Sequence, residues 1–320
     1  ASGVLSASLK HTDGGTLRLG GSGAGYTGTF TNARGNIQLV TTNWAGMDLV
    51  NTDGSTFTVV STGDTTIKSL TSDRDVQIPA GGRLNISSGN YTAADGAGMN
   101  NFWMQGSGKV TSSSGTLTLN WPTSYLTATD RSVRVIVEDY NGTTPLAVVK
   151  NGVGGVNSFD KANTYTGGTT INAGRITSAN VQCYGTGAVT VNSGGQAYLT
   201  ATGTFANNFV INGNGSTETA GELGAIRFQG NTVSGSINVA SASRIVAYGS
   251  TGTHTGALTG SGALNLNLTA SPGTLNFTGN TSGYGGAMTL NAGTLNIGAS
   301  GLGGDLTISG STATSTGTTV

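Results

Sequence analysis

A motif that occurs three times, far apart, constrains this chain more than any other feature. Around Tyr26 it reads G-Y-T-G-T-F-T-N-A-R-G-N-I, around Tyr165 T-Y-T-G-G-T-T-I-N-A-G-R-I, and around Tyr284 G-Y-G-G-A-M-T-L-N-A-G-T-L. Each copy has a glycine two residues after the tyrosine (Gly28, Gly167, Gly286) and another nine after it (Gly35, Gly174, Gly293). An aliphatic residue falls eleven positions after the tyrosine (Ile37, Ile176, Leu295) and another nine before it (Leu17, Val156, Leu275). A glycine lies two residues before that second aliphatic (Gly15, Gly154, Gly273). Repetition at both flanks of a tyrosine points to a stacked architecture rather than a globular enzyme.

The residues between the copies read as short strands. Apolar residues alternate at Leu17/Leu19, Ile37/Leu39, Leu117/Leu119, Val133/Val135/Val137, Val189/Val191, Ile237/Val239, Leu264/Leu266/Leu268, Leu275/Phe277, Met288/Leu290 and Leu295/Ile297. A period of two means strands with one face buried. Helix formers are scarce, glutamate standing at only three positions (Glu138, Glu218, Glu222). Clusters such as Thr52-Asp53-Gly54, Ser193-Gly194-Gly195, Asn212-Gly213-Asn214-Gly215 and Ser261-Gly262 supply the corners, where Gly and Asn tolerate positive φ.

Two folds suit many short strands with glycine-rich corners: an antiparallel sandwich or barrel, and a parallel β-solenoid. The tyrosine copies stand 139 and 119 residues apart. Both intervals suit turns of roughly 20 residues in which a recognisable turn returns every several coils. The spacing therefore favours an all-β parallel solenoid over residues 1–320, with repeat-like turns near 15–39, 154–178 and 273–297. At ~4.8 Å per turn, some 13–16 turns would make a rod about 60–75 Å long. Residues 91–150 depart from the rhythm: they hold Trp103, Trp121, Met99, Met104 and the dense charges Asp130, Arg131, Arg134, Glu138 and Asp139. The stretch at 106–121 still parallels 260–277, so 91–150 reads as solenoid carrying a loop or side elaboration, with a differently packed stretch of core as the alternative.

Composition narrows function. Charged residues make up 9% of the chain and the formal net charge is zero, with 14 basic and 14 acidic residues. No basic face is available for phosphates, which argues against nucleic acid, and no amphipathic basic stretch argues for a membrane surface. Nor does any apolar run reach the length of a membrane-spanning helix. Few charges suit stacked strands, where like charges directly above one another would repel. Cys183 is the single cysteine, so no intramolecular disulfide forms, and it reads as a small buried hydrophobe. Export as an unfolded chain would reconcile an extracellular-looking composition with the lack of disulfides. The opening residues do not read as a signal peptide, and one expectation is that Ala1 is an end left by cleavage.

The segment N-T-Y-T-G-G-T-T-I-N-A-G-R-I at 163–176 resembles the autotransporter-associated β-strand repeat, which reads N-x-Y-T-G-G-T-x-I-x-x-G-x-L. The copy at 282–297 resembles it well. The copy at Tyr26 resembles it less, lacking one glycine and the following aliphatic. The resemblance covers roughly 15–30 residues per copy, less than a third of the chain. It implies a right-handed parallel β-helix in a bacterial cell-surface or secreted protein, many of which act in adhesion or aggregation. The C-terminal S-G-S-T-A-T-S-T-G-T-T-V lacks the alternating apolar and aromatic strands of a membrane barrel, so the expectation is a processed passenger, a fragment, or the repeat in another setting.

Parallel β-helices also include polysaccharide lyases and hydrolases, whose chemistry needs clustered carboxylates in a groove. Asp73-Arg74-Asp75, with two aspartates on one strand face, is the first candidate, and Asp130/Arg131/Arg134 the second. Solvated corner pairs are the plainer reading of both. His11 and His254 lack the partners of a nucleophilic triad, no Cys/His spacing suggests zinc, and Ala94-Asp95-Gly96 and Asp53-Gly54 read as turns rather than calcium loops. Neither cofactor nor metal is expected. Thr56/Thr58, Thr116/Thr118 and Thr251/Thr253 raise ice binding, but their spacing is irregular. The expectation is a non-enzymatic extracellular structural protein. Its partner would be further copies of itself, joined through solenoid ends (neither terminus reads as a cap) or strand exchange into a filament or sheath. A monomeric adhesin presenting Trp103, Trp121 and Tyr125 to a glycan or cell-surface ligand is the alternative, and a polysaccharide-active enzyme the second.

Overall fold

The computed structural model describes residues 6–40, 43–52, 55–60, 62–93, 102–121, 131–268, 272–309 and 312–315, without the side chains of Phe102, Trp103, Arg131, Val156, Asn157 and 312–315. Strands and turns make up the described residues, with no helix among them. The strands stack in parallel, in register, as a β-solenoid of about 13 turns. The chain divides into two compact units, Ala1–Gly152 with Val156–Gly167, and Val153–Gly155 with Gly168–Val320.

In the first unit, side chains of successive turns form interior ladders. Leu17, Ile37, Phe57, Val76, Met104, Val133 and Phe159 follow one another through consecutive register pairs. A second ladder starts at the exposed Leu9 and runs inside through Phe30, Leu49, Leu70, Tyr91, Leu119 and Lys150. A third runs Thr65, Leu84, Val110 and Val137. Along strands such as Asn36–Val40, Thr56–Val59 and Thr116–Asn120 the burial alternates, as the pleat requires when one face looks inward. Ile37, Phe57, Val76, Leu49 and Leu84 are fully buried, each stabilising the stack by roughly 1.5–3 kcal/mol. Lys150 closes the second ladder with its stem inside. Its Nζ donates to the carbonyls of Asn151 at 2.8 Å and Gly152 at 2.7 Å, which compensates the buried charge.

The second unit repeats the scheme. Ile176, Ala197, Ile226, Ile245 and Leu266 form one ladder, continued by the buried Leu290 and ending at the exposed Ile308. Phe205, Val233, His254, Phe277 and Ile297 form another in a separate six-stranded sheet. Turn lengths are about 20 residues where the sequence repeats and closer to 30 where a corner is elaborated.

Within 91–150 the described strands Phe102–Thr111, Thr116–Asn120, Arg131–Val137 and Ala147–Asn151 stack in the same parallel register as their neighbours. Between the last two, an antiparallel bridge pairs Tyr140 with Thr144 in a small excursion. Residues 94–101 and 122–130 lie outside the described residues.

Candidate functional site

The repeated tyrosine motif is structural. Tyr26 and Tyr284 are buried with their hydroxyls turned onto backbone: Tyr26 donates to the Thr29 carbonyl at 2.8 Å, and Tyr284 contacts the carbonyls of Gly262 at 2.7 Å and Ala287 at 3.0 Å. Burial pushes the Tyr284 phenol up to about 12. Tyr165 is fully buried as well. The glycine two residues on lets an adjacent turn approach. A Cβ at Gly28 would overlap the Ala7 carbonyl, one at Gly167 would press on Leu146, and one at Gly286 would overlap the Gly262 carbonyl. The glycine nine residues on turns the corner with positive φ: 83° at Gly35, 71° at Gly174 and 82° at Gly293. A Cβ on Gly35 or Gly293 would also overlap the carbonyl of Gly15 or Gly273 in the adjacent turn.

The sequence-chosen chemical candidates separate. Asp73, Arg74 and Asp75 do not share a strand face: they form the corner between Asp64–Ser72 and Val76–Gln77. There Asp73 is buried, and Asp75 accepts from Gln105 Nε2 at 3.2 Å. Asp130 and the Arg131 side chain lie outside the described residues, and Arg134 faces Asp160 at 3.7 Å. Trp121 is not ligand-facing. It is fully buried, edge-on to Tyr91 at 5.6 Å, with Lys150 Nζ 5.8 Å from its ring centre. An aromatic at the end of an alternating strand packs inward when its neighbours leave room. Tyr125 and the Trp103 side chain lie outside the described residues.

His11 and His254 belong to different units. His11 Nδ1 pairs with Asn32 Oδ1 at 2.8 Å, at the start of a polar ladder through Asn51 to Ser72. His254 bonds through Nε2 to the Gly235 carbonyl at 3.0 Å, and burial lowers its pKa to about 4. Burial pushes the Cys183 thiol up to about 12, consistent with an inert core residue. No group of three His, Cys, Asp or Glu side chains could hold a metal ion among the described residues. No helix there is long and apolar enough to cross a membrane. Thr56 and Thr58 have Asn36, Gln38 and Gln77 as register neighbours, which interrupts any flat threonine array.

Two charged clusters went unread in the sequence because their members are far apart in the chain. In the first unit, Asp64 and Lys109 both flank Arg83 in register. Arg83 donates through Nε to Asp64 at 2.6 Å and through a terminal nitrogen to Asn141 at 2.8 Å, and stands 3.6 Å from Glu138. Lys109 Nζ meets Glu138 at 2.7 Å. The Asp64 carboxylate holds the Arg83 guanidinium above its ordinary range. These side chains line an open groove of about 300 Å³ with Gly63, Gly81, Gly82 and Ser107. Its two acids and two bases are joined to one another.

The second unit carries an arginine–tyrosine ladder. Tyr198 is the register partner of Arg227. The Arg227 guanidinium lies 4.1 Å from the Tyr198 ring centre and 4.7 Å from that of Tyr248, a cation held between two aromatic rings. Arg175 also approaches the Tyr198 ring at 5.5 Å. Glu218 receives Arg175 and Arg227, each at 3.1 Å. A residue chosen by local sequence context would miss this set, which only turn-length offsets bring onto one wall.

No protein-family model, curated protein or solved structure matches the chain.

Proposed function

We propose that the protein is a non-enzymatic structural protein of the cell exterior that works by self-assembly into a filament or sheath, and by adhesion. The observation that carries this reading is the local neutralisation of its charges. Asp64, Arg83, Lys109 and Glu138 are joined to one another, as are Arg175, Arg227 and Glu218. A general acid or base needs a carboxyl poised for proton transfer, and carboxylates held by guanidinium and ammonium partners are poor ones. The same pairing, at zero net charge, removes the repulsion that keeps copies of a protein apart. Similar turns stacked in register make a second copy a natural continuation, through the backbone edge of a terminal turn or by strand exchange. The resemblance of 163–176 and 282–297 to autotransporter-associated repeats supports a bacterial surface location.

Incubating the purified protein with acidic and neutral polysaccharides tests the non-enzymatic part. Viscosity and reducing-end content are expected to stay constant over many hours. A steady release of reducing ends or of unsaturated uronate products would overturn it.

A further inference from the structure

Beside the arginine–tyrosine ladder stands a short hairpin in which Thr217–Glu218 pairs antiparallel with Gly221–Glu222. Gln196 is the register partner of Arg175, and alternates along its strand with the inward Ala197 and Leu199. It therefore stands on the outward side of the wall, where a side chain ordinarily meets water. Gln196 is nonetheless fully buried, and neither its Oε1 nor its Nε2 has a hydrogen-bond partner in the protein. Its strand runs between Gly174–Ser178, which carries Arg175, and Ile226–Phe228, into which the hairpin leads. The Arg175–Glu218 ion pair thus closes across Gln196. Ser216 Oγ, Thr177 Oγ1 and the Nε atoms of Arg175, Arg227 and Arg244 are also buried without partners. So many unmet donors and acceptors on one wall mark a polar surface built for something besides its own cover.

The cover is a short segment between two glycines. Gly215 and Gly224, at the two ends of the hairpin segment, have φ of 97° and 95°, and a Cβ on Gly215 would overlap the Gly224 backbone. Glu218 is held on this small flap by two guanidinium groups. Arg244, on the strand beyond, donates to the Glu222 carbonyl at 2.8 Å.

We infer that this wall binds an acidic polysaccharide, a uronate carboxylate taking the place of Glu218 between Arg175 and Arg227. Paired guanidinium groups match a carboxylate in geometry and charge. The Tyr198 and Tyr248 rings, stacked on Arg227, hold its guanidinium in place beside Glu218. The Gln196 amide, both donor and acceptor, suits adjacent sugar hydroxyls. Three arginines stand against Glu218 and Glu222, so displacing the Glu218 carboxylate leaves a positive wall for a polyanion. The lining is polar and aromatic, which favours a glycan over a peptide with apolar anchors. The assignment rests on the surface-protein reading and names the ligand of its adhesive face.

The test is calorimetric titration of the full chain with polygalacturonate, with neutral dextran and dextran sulfate as comparators, alongside Glu218→Gln and Arg227→Gln. Polygalacturonate is expected to bind. Glu218→Gln, with no charge for the ligand to displace, should bind it about tenfold more tightly, and Arg227→Gln should lose most of the affinity. Neutral dextran should not bind. The site assignment is overturned if Glu218→Gln binds no more tightly than the natural chain, or if neither binds polygalacturonate. Equal affinity for dextran sulfate would overturn the uronate carboxylate as the recognised group. Binding followed by cleavage of the polymer would uphold the site and overturn the non-enzymatic reading. Filaments that form without binding would overturn the site alone.

Discussion

Two glycines in one corner show how closely single residues are specified. Gly35 has a φ of 83°, and a Cβ there would overlap the Gly15 carbonyl, whereas a Cβ on Gly15 meets nothing within 4 Å. Gly35→Ala combines left-handed strain, about 1–2 kcal/mol, with a backbone collision that the stack relieves only by separating two turns. A loss of more than about 2 kcal/mol is expected for Gly35→Ala, and a change within about 0.5 kcal/mol for Gly15→Ala. Thermal or denaturant unfolding of the two variants checks this, and equal melting would refute the corner geometry. The sequence showed these positions as a repeated Tyr–Gly–Gly spacing, because a corner imposes its demands on near neighbours in the chain. It misplaced Trp121, since a tryptophan in an apparent loop is indistinguishable from a surface aromatic until the ladder of Tyr91 and Lys150 around it is known.

Alternation made the strands themselves readable. Leu17/Leu19, Ile37/Leu39, Val189/Val191 and Met288/Leu290 all fall within strands with the apolar side inward. The pairing of one strand with the next was not readable where turns lengthen: Arg83 meets Asp64 nineteen residues back and Glu138 far ahead, and no local pattern announces that register. Strand Thr251–His254 carries a titratable polar residue into an interior ladder. His254 sits between Val233 and Phe277, edge-on to the Phe277 ring at 5.9 Å, with Nδ1 buried and without a partner. Burial lowers its pKa from 6.5 to about 4, so the folded state resists a proton that the unfolded chain accepts. Its contribution is complete above pH 6.5 and is lost as pH falls from there to about 4, a decline of about 3 kcal/mol at most. Urea unfolding between pH 7.5 and 4 should show this slope, and His254→Phe should remove it. A slope unchanged in the variant would place the titrating group elsewhere.

At the scale of the molecule, stacking follows from composition and repetition together. Fifty-five glycines in 320 residues would suit a disordered chain. Interior ladders such as Leu17-Ile37-Phe57-Val76 and Ile176-Ala197-Ile226-Ile245 bury enough apolar surface to order it instead. Under the proposed self-assembly, the in-register stacking that satisfies each turn's backbone would be extended by a further copy, which the paired charges would not repel. Negative-stain electron microscopy of the purified protein over a range of concentrations is the most direct test of this structural role. Long, uniform filaments or sheaths that lengthen with concentration are expected. Isolated particles at every concentration would contradict self-assembly and leave adhesion as the chain's work.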